Sequence, residues 1–379
     1  MRNRLLQPGI VALGVLSLAA CGDDTPTQPD LPAQPTASAP ELAVASNFWI
    51  TRANMLPERT DLAIATVTNA AGQSIVYTIG GLNPYRVPLT TVRAYNVATN
   101  TWALGRGLPV ALAGTNGAGV LNGKIYVTGG YSDHDGAFPW KTVYMYNPAT
   151  NTWTKKRDMP TIELGFGDEE YPSGGGVTGV LNGKLYVVSG AFRAFEPWGY
   201  FETYHPLFFR YNPGTDQWTT LPPPFAGIFT VSPYVGGVIA GKFYVMATSP
   251  YTHDSYLAVY DPATNRWTAK KALGLARPGA ATAVLGGRLY VMGGSRYNAA
   301  RDALDILDKT IVYDPTTNLW TTRASMPSPR TGLAATTVRR NGQARIEVVG
   351  GSAPRLRDVL EVVAGRALSN VSPPLGETL

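Results

Sequence analysis

Six tryptophans recur along this chain of 379 residues, and their spacing limits the possible folds more than any other feature. Successive tryptophans lie 53, 51, 65, 49 and 53 residues apart. The last five each follow a similar strand-rich segment, and a repeat of roughly fifty residues made of short strands is typical of propeller blades. They are Trp49, Trp102, Trp153, Trp218, Trp267 and Trp320. The spacing therefore predicts a ring of similar blades, in which the loops carry the function.

The repeat is clearest between Gly279 and Pro329. Four runs of β-branched and aromatic residues are separated by Gly, Pro and Asn, which predicts a four-stranded antiparallel sheet. The second run ends in Gly293-Gly294, where glycine permits backbone angles closed to other residues. An Asp-Pro step begins the last turn, and the tryptophan after it is large enough to fill the wedge between neighbouring blades.

With these features the chain resembles the kelch-repeat family over residues 47–365. The glycine pair returns as Gly80-Gly81 and Gly129-Gly130, whereas the third and fourth copies have Ser189-Gly190 and Ala247-Thr248 in its place. The resemblance implies an all-β fold, a kelch-type β-propeller of four-stranded antiparallel blades.

The two ends of the repeat array complete each other. The last copy has Gly350-Gly351 and a third strand at Val359–Val363, but no tryptophan follows. Trp49, at the other end, has no glycine pair before it. An unpaired edge strand is a liability that propellers avoid. We therefore predict a six-bladed propeller of five whole copies and one split copy, with the last blade closed by the N-terminal strand.

The N-terminal segment has the features of a bacterial lipoprotein signal. A basic start, Met1-Arg-Asn-Arg, precedes an apolar run that is too short to span a bilayer and ends in Leu18-Ala19-Ala20-Cys21. We predict a signal peptide over 1–20, a lipidated Cys21 that begins a Pro/Thr/Ser-rich linker over 21–46, and the propeller over 47–379. The alternative is an ordinary signal peptide with a coincidental cysteine.

This N-terminal signal predicts that the protein lies in the bacterial cell envelope. It also predicts that the lipid anchor attaches the protein to a membrane. Gly22 follows the cysteine, which favours the outer membrane or cell surface over the inner membrane. The net charge of +6 is mild and no basic run with interleaved aromatics is present, so we expect no nucleic-acid partner. We also expect no cofactor and a monomer.

Ligand binding is expected on one face of the ring. The connections between second and third strands, and those from one blade to the next, open on this long-loop face, whereas tight turns such as Asn122-Gly123 occupy the other. Aromatic and acidic residues concentrate in the third blade's loops and suit sugar rings. The alternative is a loop that packs on its own aromatic side chains. The candidate ligand-binding residues are Trp140, Trp198, Tyr200, Tyr204, Glu202 and Glu163.

Three arginines form a second candidate set on the same face. Arg59, Arg277 and Arg330 precede the first strands of blades that become neighbours when the ring closes. A guanidinium group holds a carboxylate bidentately, so these residues are candidates for binding an acidic ligand. The alternative is that each arginine secures its own blade junction by bonding local carbonyls.

Two further loop features are weaker. The histidines His134, His205 and His253 all lie in loops between second and third strands, and imidazole with carboxylate is a plausible metal set. The favoured alternative is that they are solvated polar loop residues, so no metal site is firm. In the fifth blade's loop, apolar residues between Ala299 and Asp308 follow helical spacing and predict a short lid or packing helix.

The sequence favours a binding protein over an enzyme. It contains no Gly-x-Ser-x-Gly motif, and its only cysteine is Cys21, so no catalytic residue is assigned. We predict a membrane-anchored kelch-repeat module that recognises a glycan or protein. The alternative is a sugar mutarotase or epimerase similar to N-acetylneuraminate epimerase, whose chemistry needs an acid–base pair beside a bound sugar. The Glu163–Glu202 region is where that pair would lie.

Overall fold

Every regular element in the described part of the chain is a β-strand. The computed structural model describes residues 48–132, 141–163, 169–170, 175–189, 192–196, 199–203, 206–225, 232–249, 252–274, 276–352 and 359–363. Within these ranges no helix has the length and apolar character needed to span a membrane.

The strands are short, as expected for segments bounded by glycine, asparagine and proline. The first half comprises β1 (Phe48–Arg52), β2 (Ala63–Thr68), β3 (Ser74–Ile79), β4 (Val92–Asn96), β5 (Thr101–Gly105), β6 (Ala118–Leu121), β7 (Lys124–Thr128), β8 (Val143–Asn147), β9 (Thr152–Lys156), β10 (Ile162–Glu163), β11 (Glu169–Glu170), β12 (Val177–Leu181), β13 (Lys184–Val188), β14 (Phe192–Glu196) and β15 (Gly199–Thr203). The second half comprises β16 (Phe208–Asn212), β17 (Gln217–Leu221), β18 (Ser232–Ile239), β19 (Lys242–Thr248), β20 (Ser255–Asp261), β21 (Arg266–Lys270), β22 (Ala280–Leu285), β23 (Arg288–Gly293), β24 (Ser295–Asn298), β25 (Ala303–Ile306), β26 (Thr310–Asp314), β27 (Leu319–Arg323), β28 (Thr331–Arg340), β29 (Gln343–Ser352) and β30 (Val359–Val363).

These strands form a β-propeller of four-stranded antiparallel blades. Five blades, rather than six, are each built from one continuous segment of chain. Blades one to five have the strand orders β2-β3-β4-β5, β6-β7-β8-β9, β12-β13-β16-β17, β18-β19-β20-β21 and β22-β23-β26-β27. Three two-stranded hairpins, β10-β11, β14-β15 and β24-β25, lie in the connections.

The remaining four-stranded sheet draws on both ends of the chain, and we call it the composite blade. Its order is β1-β30-β29-β28. Phe48 pairs with Val363 and Arg52 with Val359, so the predicted pairing of the N-terminal strand with the last strand is confirmed. Strand β28 contacts β22 of blade five and β2 of blade one.

The hydrophobic core lies between blades rather than within them. One cluster joins Ile79 of blade one to Ile125 and Tyr146 of blade two, and others of the same kind join later neighbours. Second strands are buried on both faces, whereas first strands alternate between buried and partly exposed residues as they line the axis. Each blade therefore depends on its neighbours for burial of its apolar surface.

Each tryptophan of the repeat also fastens its outer strand to the preceding blade. Trp153 Nε1 donates a hydrogen bond to the main-chain oxygen of Arg106 at 2.8 Å, and its ring packs 4.9 Å from that of Tyr146. Trp49 in the composite blade makes the same kind of bond to Ala324 O at 3.0 Å. The predicted wedge role of the tryptophans is confirmed, with a polar bond added.

The helix predicted between Ala299 and Asp308 is wrong, because these residues form part of the β24–β25 hairpin. Asn298 Oδ1 accepts a hydrogen bond from the main-chain N–H of Ala300 at 3.2 Å. Asp302 has a φ of 47° and accepts a hydrogen bond from the Tyr297 hydroxyl at 2.8 Å. These Asx-type contacts turn the chain back on itself, which local apolar spacing does not reveal.

Candidate functional site

An axial pocket opens where the first strands of the blades begin. It has a volume of about 290 Å³. Its lining takes residues from every blade, including Asp61, Asn116, Val177, Tyr234, Thr282 and Ala334. The connections between blades end at these strand starts, so the pocket opens on the long-loop face.

A chain of main-chain hydrogen bonds runs around the mouth of this pocket. Gly332 N donates to Gly279 O at 2.8 Å, and Asp61 N donates to Gly332 O at 2.8 Å. Gly114 N then donates to Asp61 O at 2.9 Å, and Gly175 N to Gly114 O at 2.5 Å. We call these five residues the collar. Each bond joins one blade to its neighbour, so the collar ties five of the four-stranded sheets together at the axis.

All five collar residues have a left-handed backbone. Their φ values are 53° at Asp61, 53° at Gly114, 79° at Gly175, 69° at Gly279 and 69° at Gly332. Glycine adopts this region without a steric penalty, whereas any other residue is disfavoured there, aspartate less than most. Asp61 is therefore the only residue of the collar that carries a side chain.

The carboxyl group of Asp61 lies in a partly desolvated position. The residue is exposed to solvent at the pocket mouth, and the many protein atoms around the carboxyl group still raise its pKa by partial desolvation. Two smaller effects oppose the rise: Thr60 Oγ1 donates a hydrogen bond to Asp61 Oδ2 at 3.0 Å, and Arg86 contributes positive charge. A carboxyl group perturbed in this way inside a cleft is a candidate functional group.

Tyr131 belongs to the same electrostatic group as Asp61 and Arg86. Burial, followed by the negative charge of Asp61, raises the pKa of Tyr131 to about 12, and Arg86 opposes the rise. The Tyr131 ring occupies the space that a side chain on Gly114 would fill. An acid, a cation and a phenol are thus grouped at one side of the pocket mouth.

A second, lateral pocket adjoins the axial one. Its volume is about 330 Å³, and its lining includes Thr60, Arg86 and Ser352. Asp61, Gly279 and Gly332 line both pockets. The Asp61 carboxyl group therefore lies where the two spaces meet.

Two buried polar atoms beside the axial pocket make no hydrogen bond to the described residues. They are the Tyr234 hydroxyl oxygen and Asn116 Nδ2. Burial raises the pKa of Tyr234, and the main chain of Arg277 approaches its hydroxyl without hydrogen-bond geometry. Asn116 Oδ1 accepts a bond from Gly176 N at 2.9 Å, which fixes the orientation of the amide.

Arg59, predicted to face a ligand, is buried. It is 1% exposed, and its Nη1 donates to Gly80 O and Thr91 O, each at 3.0 Å. Its Nη2 donates to Thr78 Oγ1 at 2.8 Å. Burial, with a smaller contribution from the charge of Arg93, lowers the pKa of Arg59 to about 10. The guanidinium group thus secures blade one from within.

The other two arginines also bond main-chain carbonyls. Arg330 is 0% exposed and donates to Gly350 O at 3.2 Å. Arg277 is half-buried, which lowers its pKa, and donates to Lys309 O at 3.4 Å. None of the three arginines lines the axial pocket. This geometry matches the alternative in which each arginine secures its own junction.

The third blade's candidate residues are placed only in part. Glu163 lies on β10, and Tyr200 and Glu202 lie on β15. Strand β11 contacts β14, so the two hairpins adjoin. Trp140, Trp198 and Tyr204 lie outside the described residues. The ligand-binding role of this set therefore stays a prediction.

The histidine hypothesis is tested at one position. His253 stacks on Tyr297, with ring centroids 4.3 Å apart and planes inclined by 25°. His134 and His205 lie outside the described residues, as does Cys21. Among the residues that are described, no group of three His, Cys, Asp or Glu residues could hold a metal ion.

Comparisons with known proteins identify the repeats. Residues 65–109, 115–160 and 276–327 match the Kelch motif. The chain is 27% identical over 319 residues to the Kelch-like protein terF of Aspergillus terreus, which covers 80% of this chain and 63% of that protein. It is 27% identical over 291 residues to Kelch-like protein 21 of Homo sapiens, which covers 67% of this chain and 44% of that protein. The chain thus spans less than two thirds of the length of these relatives.

A solved structure supports the same class. The structure of YjhT matches with a TM-score of 0.61 at 16% identity, over 84% of this chain and 97% of YjhT. At that identity the likeness concerns the fold alone. The chain is a β-propeller that contains kelch repeats, as its sequence pattern predicts.

The collar and Asp61 were not found by sequence reasoning. One signal was available: Thr60-Asp61-Leu62 stands where another repeat has Thr331-Gly332-Leu333. An acidic residue at a position that is otherwise glycine is informative only if the backbone there is left-handed. That conformation becomes visible in the structure.

Proposed function

We propose that the chain is a kelch-repeat binding module of the bacterial envelope that recognises its partner through the long-loop face. One observation supports this most directly: large apolar side chains are exposed on the loops of that face. Tyr85 is 81% exposed in the loop between β3 and β4, and Val87 lies in the same loop. Leu304 is 60% exposed on the β24–β25 hairpin.

These side chains suit an interface because of where they lie. Single exposed apolar residues are normal on any protein surface. Here the Tyr85 loop also supplies Asn83, Pro84 and Arg86 to the lateral pocket. An exposed tyrosine next to a concave, partly polar surface is the usual composition of a binding hot spot. The ligand is a glycan or a protein, and the apolar side chains favour a protein.

Two structural details belong to this proposal. The composite blade acts as the sixth blade of a closed ring, because Trp49 bonds Ala324 O as the other tryptophans bond their preceding blades. A lipid on Cys21 would hold the ring at the membrane. Incorporation of a labelled fatty acid into the full chain, and its loss in Cys21→Ser, tests the anchor; labelling of both or of neither would refute it.

Paired variants on two surfaces test the binding face. The variants Tyr85→Ala and Leu304→Ala remove apolar side chains from the long-loop face, and Leu104→Ala and Leu319→Ala remove them from outer strands. Binding is measured on a glycan array and against a displayed peptide library. We expect the long-loop variants to weaken binding by about tenfold, since hot-spot truncation costs more than ~1 kcal/mol.

The outer-strand variants are the controls and should bind like the wild type. Equal losses at both surfaces would contradict the assignment of the face. Failure of the wild type to bind any glycan or peptide would contradict the binding function itself.

A second function, sugar mutarotation, is favoured by the perturbed carboxyl group of Asp61. General acid–base catalysis works best when the pKa of the group is close to the operating pH, and burial moves Asp61 in that direction. Arg86 and Tyr131 lie nearby as possible donors. Anomer exchange of common neutral hexoses, which the Asp61 carboxylate does not repel, is followed by NMR and tests this function. Exchange above the spontaneous rate that Asp61→Asn abolishes would support it, and exchange at the spontaneous rate would refute it.

A further inference from the structure

Four of the five collar residues are glycine, and the fifth, Asp61, needs an explanation. All five share the same left-handed backbone and the same chain of main-chain hydrogen bonds. Glycine serves at four of these positions, so the fold itself does not require a side chain at the fifth. A non-glycine residue in a disfavoured conformation beside a cavity is grounds for a functional hypothesis.

The charge of this side chain stands alone in the axial pocket. Among the described lining residues, Asp61 is the only one with an ionisable carboxyl or basic group. No ion pair joins Asp61 to a described residue, and its one side-chain hydrogen bond comes from Thr60. Arg86 adds positive charge nearby, but it forms no ion pair with Asp61, so the carboxylate at the pocket mouth keeps the capacity to accept a charge-assisted hydrogen bond from an incoming positive group.

We propose that the axial pocket receives a protonated amine, which Asp61 binds through a charge-assisted hydrogen bond. The proposal rests on the binding function proposed above and specifies the chemistry of the ligand at this site. The amine belongs either to a lysine side chain of a partner protein or to a free small molecule.

The pocket's size and remaining lining fit this ligand. A volume of about 290 Å³ corresponds to roughly ten water molecules in the liquid, which accommodates a four-carbon chain and its ammonium group. Below the collar the wall includes Ile64, Leu333 and Ala334, which are apolar and suit the methylene groups. Tyr234 also lines the pocket, although its hydroxyl oxygen is buried behind the wall.

An anionic ligand is disfavoured at this site. It would lie against the Asp61 carboxylate, whereas the three arginines expected to attract it bond main-chain carbonyls away from the axial pocket. Arg86 lines the lateral pocket instead. The sign of the charge at the axial mouth therefore opposes the acidic ligand that the sequence suggested.

Binding of three probes of matched shape to the full chain tests the charge of the ligand. n-Butylammonium, the neutral 1-butanol and the anionic butyrate are compared by saturation-transfer NMR. We expect saturable binding of butylammonium and weaker or no binding of the alcohol and the acid. Asp61→Asn, which keeps the shape and tolerates the left-handed backbone, should weaken butylammonium binding about tenfold or more.

The variant Asp61→Gly distinguishes a loss of amine binding from a loss of folding. It makes the collar uniform, so the thermal midpoint of unfolding should be unchanged or raised, while amine binding is lost. Equal binding of butylammonium and 1-butanol, undiminished binding by Asp61→Asn, or no saturable binding of the amine to the wild type would each overturn the proposal.

Two peptides identify the source of the amine. Acetyl-Gly-Lys-Gly-amide should compete with butylammonium if the ligand is a partner's lysine, and the same peptide with norleucine should not. If only the free amine binds, the ligand is a small molecule. If the wild type does not bind the amine, but Tyr85→Ala and Leu304→Ala still weaken its binding in the array assays, this proposal is refuted. The proposed function would then still stand.

Discussion

In blades one, two and five, a tryptophan and an asparagine hold the outer strand to the preceding blade through one shared partner residue. Trp153 Nε1 donates to Arg106 O, and Asn151 Oδ1 accepts from Arg106 N at 2.7 Å. The same Asn151 oxygen also accepts the hydroxyl of Tyr146 at 2.6 Å. Asn151 has a φ of 53°, a conformation that asparagine tolerates better than most residues. One residue pair thus fixes both the turn and the contact between blades.

The variant Trp153→Phe tests the hydrogen bond that the tryptophan contributes to this contact. The variant keeps an aromatic ring but removes the donor to Arg106 O, so we expect the free energy of unfolding to fall by about 1 kcal/mol. Urea denaturation measures the change. A double-mutant cycle with Asn151→Ala should show coupling, because both side chains hold Arg106. Additive effects would show that the two contacts act independently.

Asp216 stands where the other blades of this pattern use asparagine, and this predicts a local sensitivity to acid. Tyr211 donates a hydrogen bond to Asp216 at 2.5 Å, and this bond is the main reason that the pKa of Asp216 is lowered. The main-chain N–H of Arg157 and the charges of Lys156 and Arg157 act in the same direction. Because the folded pKa lies below the unfolded one, the stabilisation is present above the unfolded pKa of about 3.9 and is lost as pH falls through the folded pKa.

Asp216→Asn should remove this part of the acid sensitivity. The difference in unfolding free energy between wild type and variant is measured from neutral pH down to about pH 3, a range that spans the ordinary aspartate pKa. We expect the difference to be constant near neutral pH and to change in acid in favour of the variant. A difference that stays constant over the whole range would contradict the lowered pKa.

The roles of single residues were predictable where the repeat shows them. The tryptophans, the turn asparagines and the glycine pairs recur, so their tasks follow from comparing copies. Arg59 and Arg330 recur too, but a buried guanidinium group bonded to carbonyls and an exposed one that binds ligand look alike in a sequence. Asp61 occurs once, and its significance depends on main-chain angles that no pattern displays.

The first strands approach one another closely, and glycine makes some of these approaches possible. On β6, a side chain at Gly119 would overlap Leu185 and come within 3.0 Å of Val180 Cγ2. Gly119→Ala should therefore lower the free energy of unfolding by about 1–3 kcal/mol through overpacking. Chemical denaturation measures this loss.

Gly214→Ala is the matched control for that substitution. The nearest atom to a side chain at Gly214 is Asn212 Oδ1 at 3.6 Å, which is ordinary contact. The control should leave stability unchanged or raise it slightly, because alanine restricts the unfolded chain. Similar losses from both alanines would show that the close approach on β6 is not what requires glycine.

The sequence pattern predicted the strands well, but it predicted the connections between them less well. Alternating apolar residues and paired glycines predict the four strands of each continuous blade. The β24–β25 hairpin reads as a helix from its apolar spacing, since Ala303, Leu304 and Leu307 satisfy the helical period. The turn at Asp302 decides the outcome, and its hydrogen bond from Tyr297 spans the two strands of the hairpin.

At the scale of the whole molecule, the composite blade brings together strands from near both ends of the described chain. Trp49 bonds Ala324 O, and β1 pairs along its length with β30. A chain lacking residues 1–52 should therefore have a lower thermal midpoint and should associate through the exposed edge of β30. Calorimetry and light scattering measure both effects.

A chain lacking residues 1–46 retains β1 and is the control for that deletion. It should remain as stable and as monodisperse as the full-length propeller. If the two deletions behave alike, the N-terminal strand does not close the ring, and the composite blade would have to be stable without its outer strand.

At the scale of the whole molecule, the sequence pattern predicted most of the architecture, because the incomplete repeat at each end of the array supplies the strands that the other lacks. The axial site was not predictable in the same way. Its collar joins five different sheets through main-chain atoms alone, at Gly175, Gly114, Asp61, Gly332 and Gly279. Such bonds depend on how the blades are arranged around the axis, and not on the side chains that a repeat displays.

The composite blade has a consequence for how the protein is made. The first β-strand of the propeller to leave the ribosome, Phe48–Arg52, has as its partner the last, Val359–Val363. During translation this early segment has no complementary edge to join until Val359–Val363 has been made, however many blades have already formed. The composite blade is therefore completed late, and a chain truncated before residue 359 would expose unpaired strand edges to chaperones and proteases.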